Sequence, residues 1–197
     1  TAEIRDYLMS KTADQLYTAI QGMQTNPNVF KDGTVLRAEG ENAFDDPAKY
    51  NQVPVIIGST SEEGKLFMYL MGLDEQWGPG LYQAFGKQAS RIARKISLDK
   101  IASKISSHES QPGVYCYVFQ YGQYNRFGYN AWPTDQGPTE NMSWAIALGA
   151  CHAIDLPFNF GMVGTFPLFD GMSDILFRED NRAGAEALSD AMLAYTA

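Results

Sequence analysis

The chain has 197 residues and an apolar share of 45%, which is enough for a globular domain with a hydrophobic core and excludes wholesale disorder. Its net charge of -8 at pH 7 disfavours nucleic acid and anionic membrane surfaces as partners, and no apolar run is long enough to span a bilayer. Cys116 and Cys151 form no metal-binding pattern. They could form a disulfide, but two free buried thiols are the preferred interpretation.

The first part of the sequence predicts helices followed by a turn. Residues 12–15 form a capping box, in which the Thr and Gln side chains bond each other's backbone amides. The helix that begins there has apolar residues at helical spacing, and the Asn-Pro-Asn at residues 26–28 ends it. The Asp-Gly pair at residues 32–33 then predicts a turn between short extended pieces at residues 29–30 and 35–36.

Two segments predict parallel strands of one sheet. Residues 53–58 are a continuous apolar run ending in glycine, as in an inner strand buried on both faces, with Pro54 at its start. Residues 114–119 are β-branched and aromatic and follow a Pro-Gly pair. Helical patterns at residues 61–72 and 81–107 separate the two strands, which suits a parallel crossover. The predicted fold class is therefore α/β.

The remaining segments predict a long loop and a closing helix. Residues 122–141 are rich in Gly, Pro, Asn and Gln, and residues 181–195 have a helical pattern. The basic residues between 91 and 104 are spaced like a solvated helix face, with Ile92, Ile96, Ile101 and Ile105 on another side. Two strands are few for an α/β domain, so the chain is expected to form part of a larger sheet.

Two short stretches contain titratable side chains at positions where an active site could form. Glu62 and Glu63 follow the first strand, at the sheet edge where such folds place active sites, although helix-dipole stabilisation alone would also explain them. His152 has small and apolar neighbours, so it is a candidate base or a hydrogen-bonded core histidine. The other histidine, His108, has polar neighbours and is expected to face solvent. Asp155 is an awkward partner for His152 outside a helix.

Four stretches, in this order, resemble the type-B carboxylesterase and cholinesterase family of the α/β-hydrolase fold. They are the Asp-Gly turn at 32–33, the strand at 53–58 with Glu62, Glu63, Gly64 and Phe67, the segment 149–161 around His152, and the late helix at 188–192. The resemblance covers nearly the whole chain. It implies that residues 1–197 are the C-terminal catalytic portion of a carboxylesterase domain, with mostly parallel strands and flanking helices.

The same resemblance implies roles for individual residues. Glu63 would be the carboxylate of the catalytic triad, and His152 its general base. Glu62 would be a neighbouring acid outside the triad, and Asp155 a structural residue. No metal or organic cofactor is implied. A serine would attack the ester carbonyl, His152 would take the serine proton, and Glu63 would stabilise the imidazolium.

The family's serine lies in a G-x-S-x-G elbow that this sequence lacks, because the similar stretch at residues 171–175 has no final glycine. The glycine-rich oxyanion loop is also missing. The nucleophile is therefore expected in an N-terminal half outside this chain. The chain alone should be inactive, and should bind that half or self-associate through an exposed face.

The expected substrates are apolar or aromatic carboxylic esters. Six side chains are candidates to contact the acyl or alcohol group: Phe67, Met68, Tyr69, Trp77, Phe158 and Phe160. The alternative function is that of a non-catalytic, cholinesterase-like binding or adhesion protein. No pattern in the sequence indicates a cellular compartment.

Overall fold

The computed structural model describes residues 1–22, 31–165 and 171–196, which contain helices and a small parallel sheet. The helices and strands, in chain order, are α1 (Ala2–Met9), α2 (Ala13–Gly22), β1 (Val55–Thr60), α3 (Gly64–Leu70), α4 (Leu73–Gln76), α5 (Pro79–Ile96), α6 (Leu98–Ser106), β2 (Val114–Phe119), α7 (Trp144–Ala147), α8 (Leu156–Asn159), α9 (Met172–Leu176) and α10 (Glu179–Thr196). Two 3-10 helices, Gly40–Asp45 and Pro47–Lys49, precede β1. The chain divides into two units, residues 1–43 and 44–197.

The first unit contains α1, α2 and a polar turn. The predicted capping box is confirmed, since Thr12 Oγ1 accepts the Gln15 amide at 3.2 Å and Gln15 Oε1 accepts the Thr12 amide at 3.0 Å. The helix stop at 26–28 and the extended piece at 29–30 lie outside the described residues. Asp32 Oδ1 accepts three successive amides, those of residues 34–36, so this part of the chain bends instead of extending as predicted.

The two strands form the predicted parallel pair. They run in register from Val55 opposite Val114 to Thr60 opposite Phe119. The second strand has its predicted bounds, whereas the first begins and ends two residues later than predicted, so Pro54 lies outside the ladder. The described residues thus form an α/β arrangement with a two-stranded sheet.

The expectation that β1 is buried on both faces is wrong. Ile56 is 41% exposed, and Tyr115 and Val118 of the neighbouring strand are also exposed. Burial increases toward the carboxyl ends, where Ser59 and Thr60 are covered. A pair of strands has few neighbours to cover its side chains, so continuous apolarity in the sequence overstates the burial. The residues of the candidate site directly follow the buried carboxyl end of β1.

The helix α6 packs against both strands, and α5 packs against α3, α6 and α7. The predicted helix at 61–72 is shorter, as α3, and the pattern at 81–107 is divided at Ser97 into α5 and α6. Of the isoleucines on these helices, Ile105 is buried at 4% exposure. Ile92 and Ile96 are exposed instead, because α5 packs through Tyr82, Gly86 and Ser90 on its other side.

The predicted loop at 122–141 contains no helix or strand, but it contributes to the core. Its Trp132 is fully buried in the main apolar cluster together with Leu148, Ile154, Phe158 and Leu176. A smaller cluster contains Met68, Tyr82, Met142 and Ala147. These clusters hold the segment from α7 to α8, which carries His152.

Both cysteines are free, so there is no disulfide between them. Cys151 is buried as expected, but Cys116 on β2 is exposed, which corrects the prediction of two buried thiols. Burial raises the pKa of the Cys151 thiol to about 12. Across the described ranges, no helix combines the length and the apolarity needed to cross a bilayer. Nor do three or more His, Cys, Asp or Glu side chains gather there in a way that could hold a metal ion.

Candidate active site

Glu63 lies in the turn between β1 and α3. The strand ends at Thr60, and α3 begins at Gly64, so the carboxylate lies at the carboxyl end of the sheet. Its Oε1 atom accepts the Thr60 amide at 2.9 Å. The Gly64 amide donates to Ser90 Oγ on α5 at 3.0 Å, which fixes the start of α3. One carboxylate oxygen is therefore held by the strand end, and the other is free to face a partner.

That partner is His152, whose Nδ1 lies 2.7 Å from Glu63 Oε2. The side chain of His152 is 51% exposed and that of Glu63 is 28% exposed. Phe67, one turn after Glu63 on α3, packs its ring against the imidazole with centroids 5.2 Å apart. The expected proximity of Glu63 and His152 is thus confirmed, whereas their catalytic roles stay a prediction.

His152 lies in a tight turn between two left-handed residues near the start of α8. Gly149 has a φ of 55° and Ala153 a φ of 67°. A residue with a Cβ costs about 1–2 kcal/mol in this conformation, so the surrounding core must hold Ala153 there. Cys151 and Ala153 are buried on either side, while the imidazole between them is exposed. The turn therefore presents one polar ring at the surface of an apolar core.

The Glu63–His152 pair has the geometry of a general base. A carboxylate can only accept a hydrogen bond, so Nδ1 carries the proton and Nε2 has the lone pair of the neutral ring. Among the described residues, no side chain hydrogen-bonds to Nε2. The pair can orient an imidazole, stabilise its protonated form and accept a proton at Nε2. Sequence reasoning identified both residues through the resemblance.

A second contact joins the same two loops beneath this pair. The Glu62 amide donates to Ala150 O at 3.0 Å, and Glu62 Oε2 accepts the Ala150 amide at 3.0 Å. Glu62 Oε1 lies 2.8 Å from Lys65 Nζ, and both side chains are fully buried. Burial lowers the pKa of Lys65, and the Glu62 charge opposes that change. Sequence reasoning missed Lys65, since a Glu-Lys pair three residues apart at a helix start is usually a solvated pair.

Asp155 is not a partner of His152. Its Oδ2 atom accepts hydrogen bonds from the Tyr117 hydroxyl at 2.9 Å and from the Asn159 side-chain Nδ2 at 3.3 Å. The pKa of Tyr117 is raised by burial and then by the Asp155 charge. Asp155 thus ties the end of the histidine turn to β2.

The candidate pocket residues occupy different places. Phe67 alone contacts His152; Met68 and Phe158 are buried in separate core clusters. Tyr69 packs on Trp144, Trp77 packs on Phe85, and Phe160 is 69% exposed. The structure therefore does not bring these six together around one cavity.

His108 does not face solvent as expected. It is partly buried, with Nε2 lying 2.9 Å from the carbonyl oxygen of Phe44 and its ring 6.2 Å from that of Tyr50. Its contacts lie before β1 and do not involve Glu63.

No protein-family model, no curated protein and no solved structure matches this chain. Functional inference therefore rests on the geometry of the site and on the sequence resemblance.

Proposed function

We propose that the protein is a carboxylic ester hydrolase of the serine type, in which this chain supplies the acid and the base of the triad. The observation that supports this most is the 2.7 Å contact between Glu63 Oε2 and His152 Nδ1, with the imidazole exposed on its other side. The position of Glu63 after a parallel strand agrees with an α/β-hydrolase, of which the chain would be the C-terminal part.

In this mechanism, Nε2 takes the proton of a serine hydroxyl as the serine attacks the ester carbonyl. The imidazolium then gives that proton to the leaving alcohol, and a water molecule repeats the sequence to release the acid. Glu63 fixes the Nδ1–H tautomer and stabilises the imidazolium. The serine and the donors for the oxyanion would come from residues N-terminal to this chain, as the resemblance implies.

The exposed face of Phe67 supports an apolar or aromatic substrate group next to the histidine. The Phe67 ring is 49% exposed and contacts the imidazole, so a group bound at Nε2 would meet apolar surface on one side. The other candidate pocket residues supply no comparable surface at this place.

The full-length protein that contains this chain tests the proposal, through hydrolysis of a p-nitrophenyl ester and labelling by a fluorophosphonate. His152→Gln should lower kcat by roughly 10⁴-fold or more and slow the labelling, because Nε2 no longer accepts the serine proton. His108→Gln is the matched control, since it alters the other histidine away from Glu63, and it should leave kcat within about twofold of wild type.

A folded His152→Gln protein with wild-type turnover would overturn the proposal. Absence of turnover and of labelling in the wild-type protein would instead support the alternative, a binding protein that keeps the fold of this family.

A further inference from the structure

Glu62 fastens the loop of the proposed acid to the loop of the proposed base. Its backbone amide and its Oε2 atom both bond to Ala150, at 3.0 Å each. We name these two hydrogen bonds the Glu62 clamp. Glu62 precedes Glu63 by one residue, and Ala150 precedes His152 by two, so the clamp joins the two loops next to both members of the pair.

The surroundings of the clamp leave it little freedom. Trp132 Nε1 donates to Gly149 O at 2.7 Å, and the Tyr82 hydroxyl lies 3.1 Å from Lys65 O and 2.9 Å from Ala147 O. A Cβ on Gly149 would overlap Glu62 Oε2. The backbone just before Ala150 is thus held by the side chains of Trp132 and Tyr82, both of which are fully buried.

A buried ion pair such as Glu62–Lys65 is not needed to stabilise the fold. Removing two charges from water is expensive, and apolar side chains of the same volume often stabilise a core equally well or better. Apolar side chains cannot, however, accept the buried Ala150 amide. Lys65 Nζ lies 2.8 Å from Glu62 Oε1, and the other carboxylate oxygen, Oε2, accepts that amide at 3.0 Å.

We propose that Glu62 is a positioning residue for the Glu63–His152 pair, with Lys65 as its counter-ion. The proposal rests on the proposed function, although its structural part concerns the hydrogen bond from His152 Nδ1 to Glu63. Glu62 does not touch the imidazole and acts through Ala150 and the turn that follows. Loss of the clamp lets the turn shift, which lengthens the Nδ1–Oε2 contact.

Two double variants of the full-length protein separate positioning from packing. Both replace the buried pair by neutral side chains of similar length, and they differ only at residue 62. Glu62→Gln with Lys65→Met keeps an oxygen that can accept the Ala150 amide, whereas Glu62→Met with Lys65→Met does not. Circular dichroism and thermal unfolding establish that each variant is folded.

The first measurement is the low-field proton NMR resonance of His152 Nδ1–H in protein with ¹⁵N-labelled histidine. This resonance reports the hydrogen bond to Glu63 without any ester turnover, and Glu63→Gln identifies it. We expect the resonance to persist in the Gln/Met variant. In the Met/Met variant it should move upfield or vanish through exchange with water.

The second measurement is ester hydrolysis. The Met/Met variant should lose roughly 10- to 100-fold in kcat with little change in KM, because misplacement of about 1 Å affects the chemical step most. The Gln/Met variant should lose less than about threefold. If the Met/Met protein does not fold, Glu62→Asp replaces it; this keeps the charge but withdraws the carboxylate from Ala150, and the resonance should again be lost.

Retention of the resonance and of kcat in a folded Met/Met or Asp variant would overturn the positioning role and leave the proposed function intact. Loss of the resonance in a protein with no esterase activity would support the positioning role while contradicting the proposed function.

Discussion

Glu63 and His152 are 89 positions apart in the sequence, yet their Oε2 and Nδ1 atoms are 2.7 Å apart. The carboxylate is held from behind by the Thr60 amide, at the last residue of β1. The imidazole is held by the turn that contains Gly149 and Ala153. A strand end and a tight turn with two left-handed residues thus bring this pair together.

If the full-length protein is the proposed esterase, replacement of Glu63 by glutamine should reduce its kcat by roughly 10³- to 10⁴-fold. The neutral amide cannot stabilise an imidazolium and can hold the ring in the wrong tautomer. Glu109→Gln is the control, because Glu109 is an exposed acid and should leave kcat unchanged. Rates with a p-nitrophenyl ester measure both variants, and a kcat of the Glu63→Gln protein within tenfold of wild type would refute the proposed role of Glu63.

Gly149→Ala should destabilise the fold by roughly 3 kcal/mol or more. The substitution places a Cβ in a left-handed residue and against the Glu62 carboxylate and Lys65 Nζ. Gly72→Ala is the matched control, since Gly72 has a φ of 69° but nothing within 4 Å of the added Cβ. It should lose only about 1–2 kcal/mol. Urea unfolding curves measure the free energy of unfolding of both variants. Equal decreases would mean that Glu62 and Lys65 accommodate the added methyl group.

Cys151 should make the protein less stable at alkaline pH. Its pKa rises from an ordinary 9.0 to about 12 on folding, because burial disfavours the thiolate. The folded state then holds a proton that the unfolded state releases, so this stabilising contribution is complete below pH 9 and is lost between pH 9 and 12. The free energy of unfolding should fall by roughly 1 kcal/mol per pH unit in that window from this group.

Denaturant titrations between pH 8 and 11 measure that slope. Cys151→Ala should make it shallower, while Cys116→Ala, which removes the exposed thiol, should leave it as in wild type. Equal slopes in both variants would assign the alkaline loss to other groups, among them Tyr121, whose pKa burial also raises to about 12.

The 197-residue chain by itself should hydrolyse no activated aryl ester and react with no fluorophosphonate. Covalent catalysis needs an activated hydroxyl and donors for the oxyanion. In the described residues, no hydroxyl group is bonded to His152 Nε2. Mass spectrometry of the labelled chain is the measurement. Stoichiometric labelling of a serine within it, lost in His152→Ala, would show that the nucleophile is in this chain.

The sequence contained enough information to predict the strands and the pair at their carboxyl end. The bounds of Val114–Phe119 and the parallel pairing follow from apolar continuity and a long helical crossover. The partnership of Glu63 and His152 followed from the resemblance. Neither spacing nor composition would have paired them, because contacts this distant in sequence leave no local pattern.

The features that could not be predicted depend on tertiary burial. A Glu-Lys pair at a helix start has the same sequence pattern whether it lies in solvent or in a core. The burial of Glu62 and Lys65 could therefore not be predicted. The isoleucine spacing in α5 likewise does not reveal that Ile92 is exposed, because α5 packs through Tyr82, Gly86 and Ser90. Trp132 lies in a loop whose composition predicted only irregular structure, although its ring is in the core.

The parallel ladder between β1 and β2 has a consequence for how the chain folds. The helices α3 to α6 lie between the two strands in sequence, so they can form from local contacts before the ladder closes. Pairing of the two strands is opposed by the entropy lost when that whole crossover is closed into a loop. The Glu62–Ala150 contact closes a longer loop and therefore costs more entropy. We therefore expect the helices to form early, while Glu63 and His152 are still apart, so that the contact between these two side chains forms in the last cooperative step.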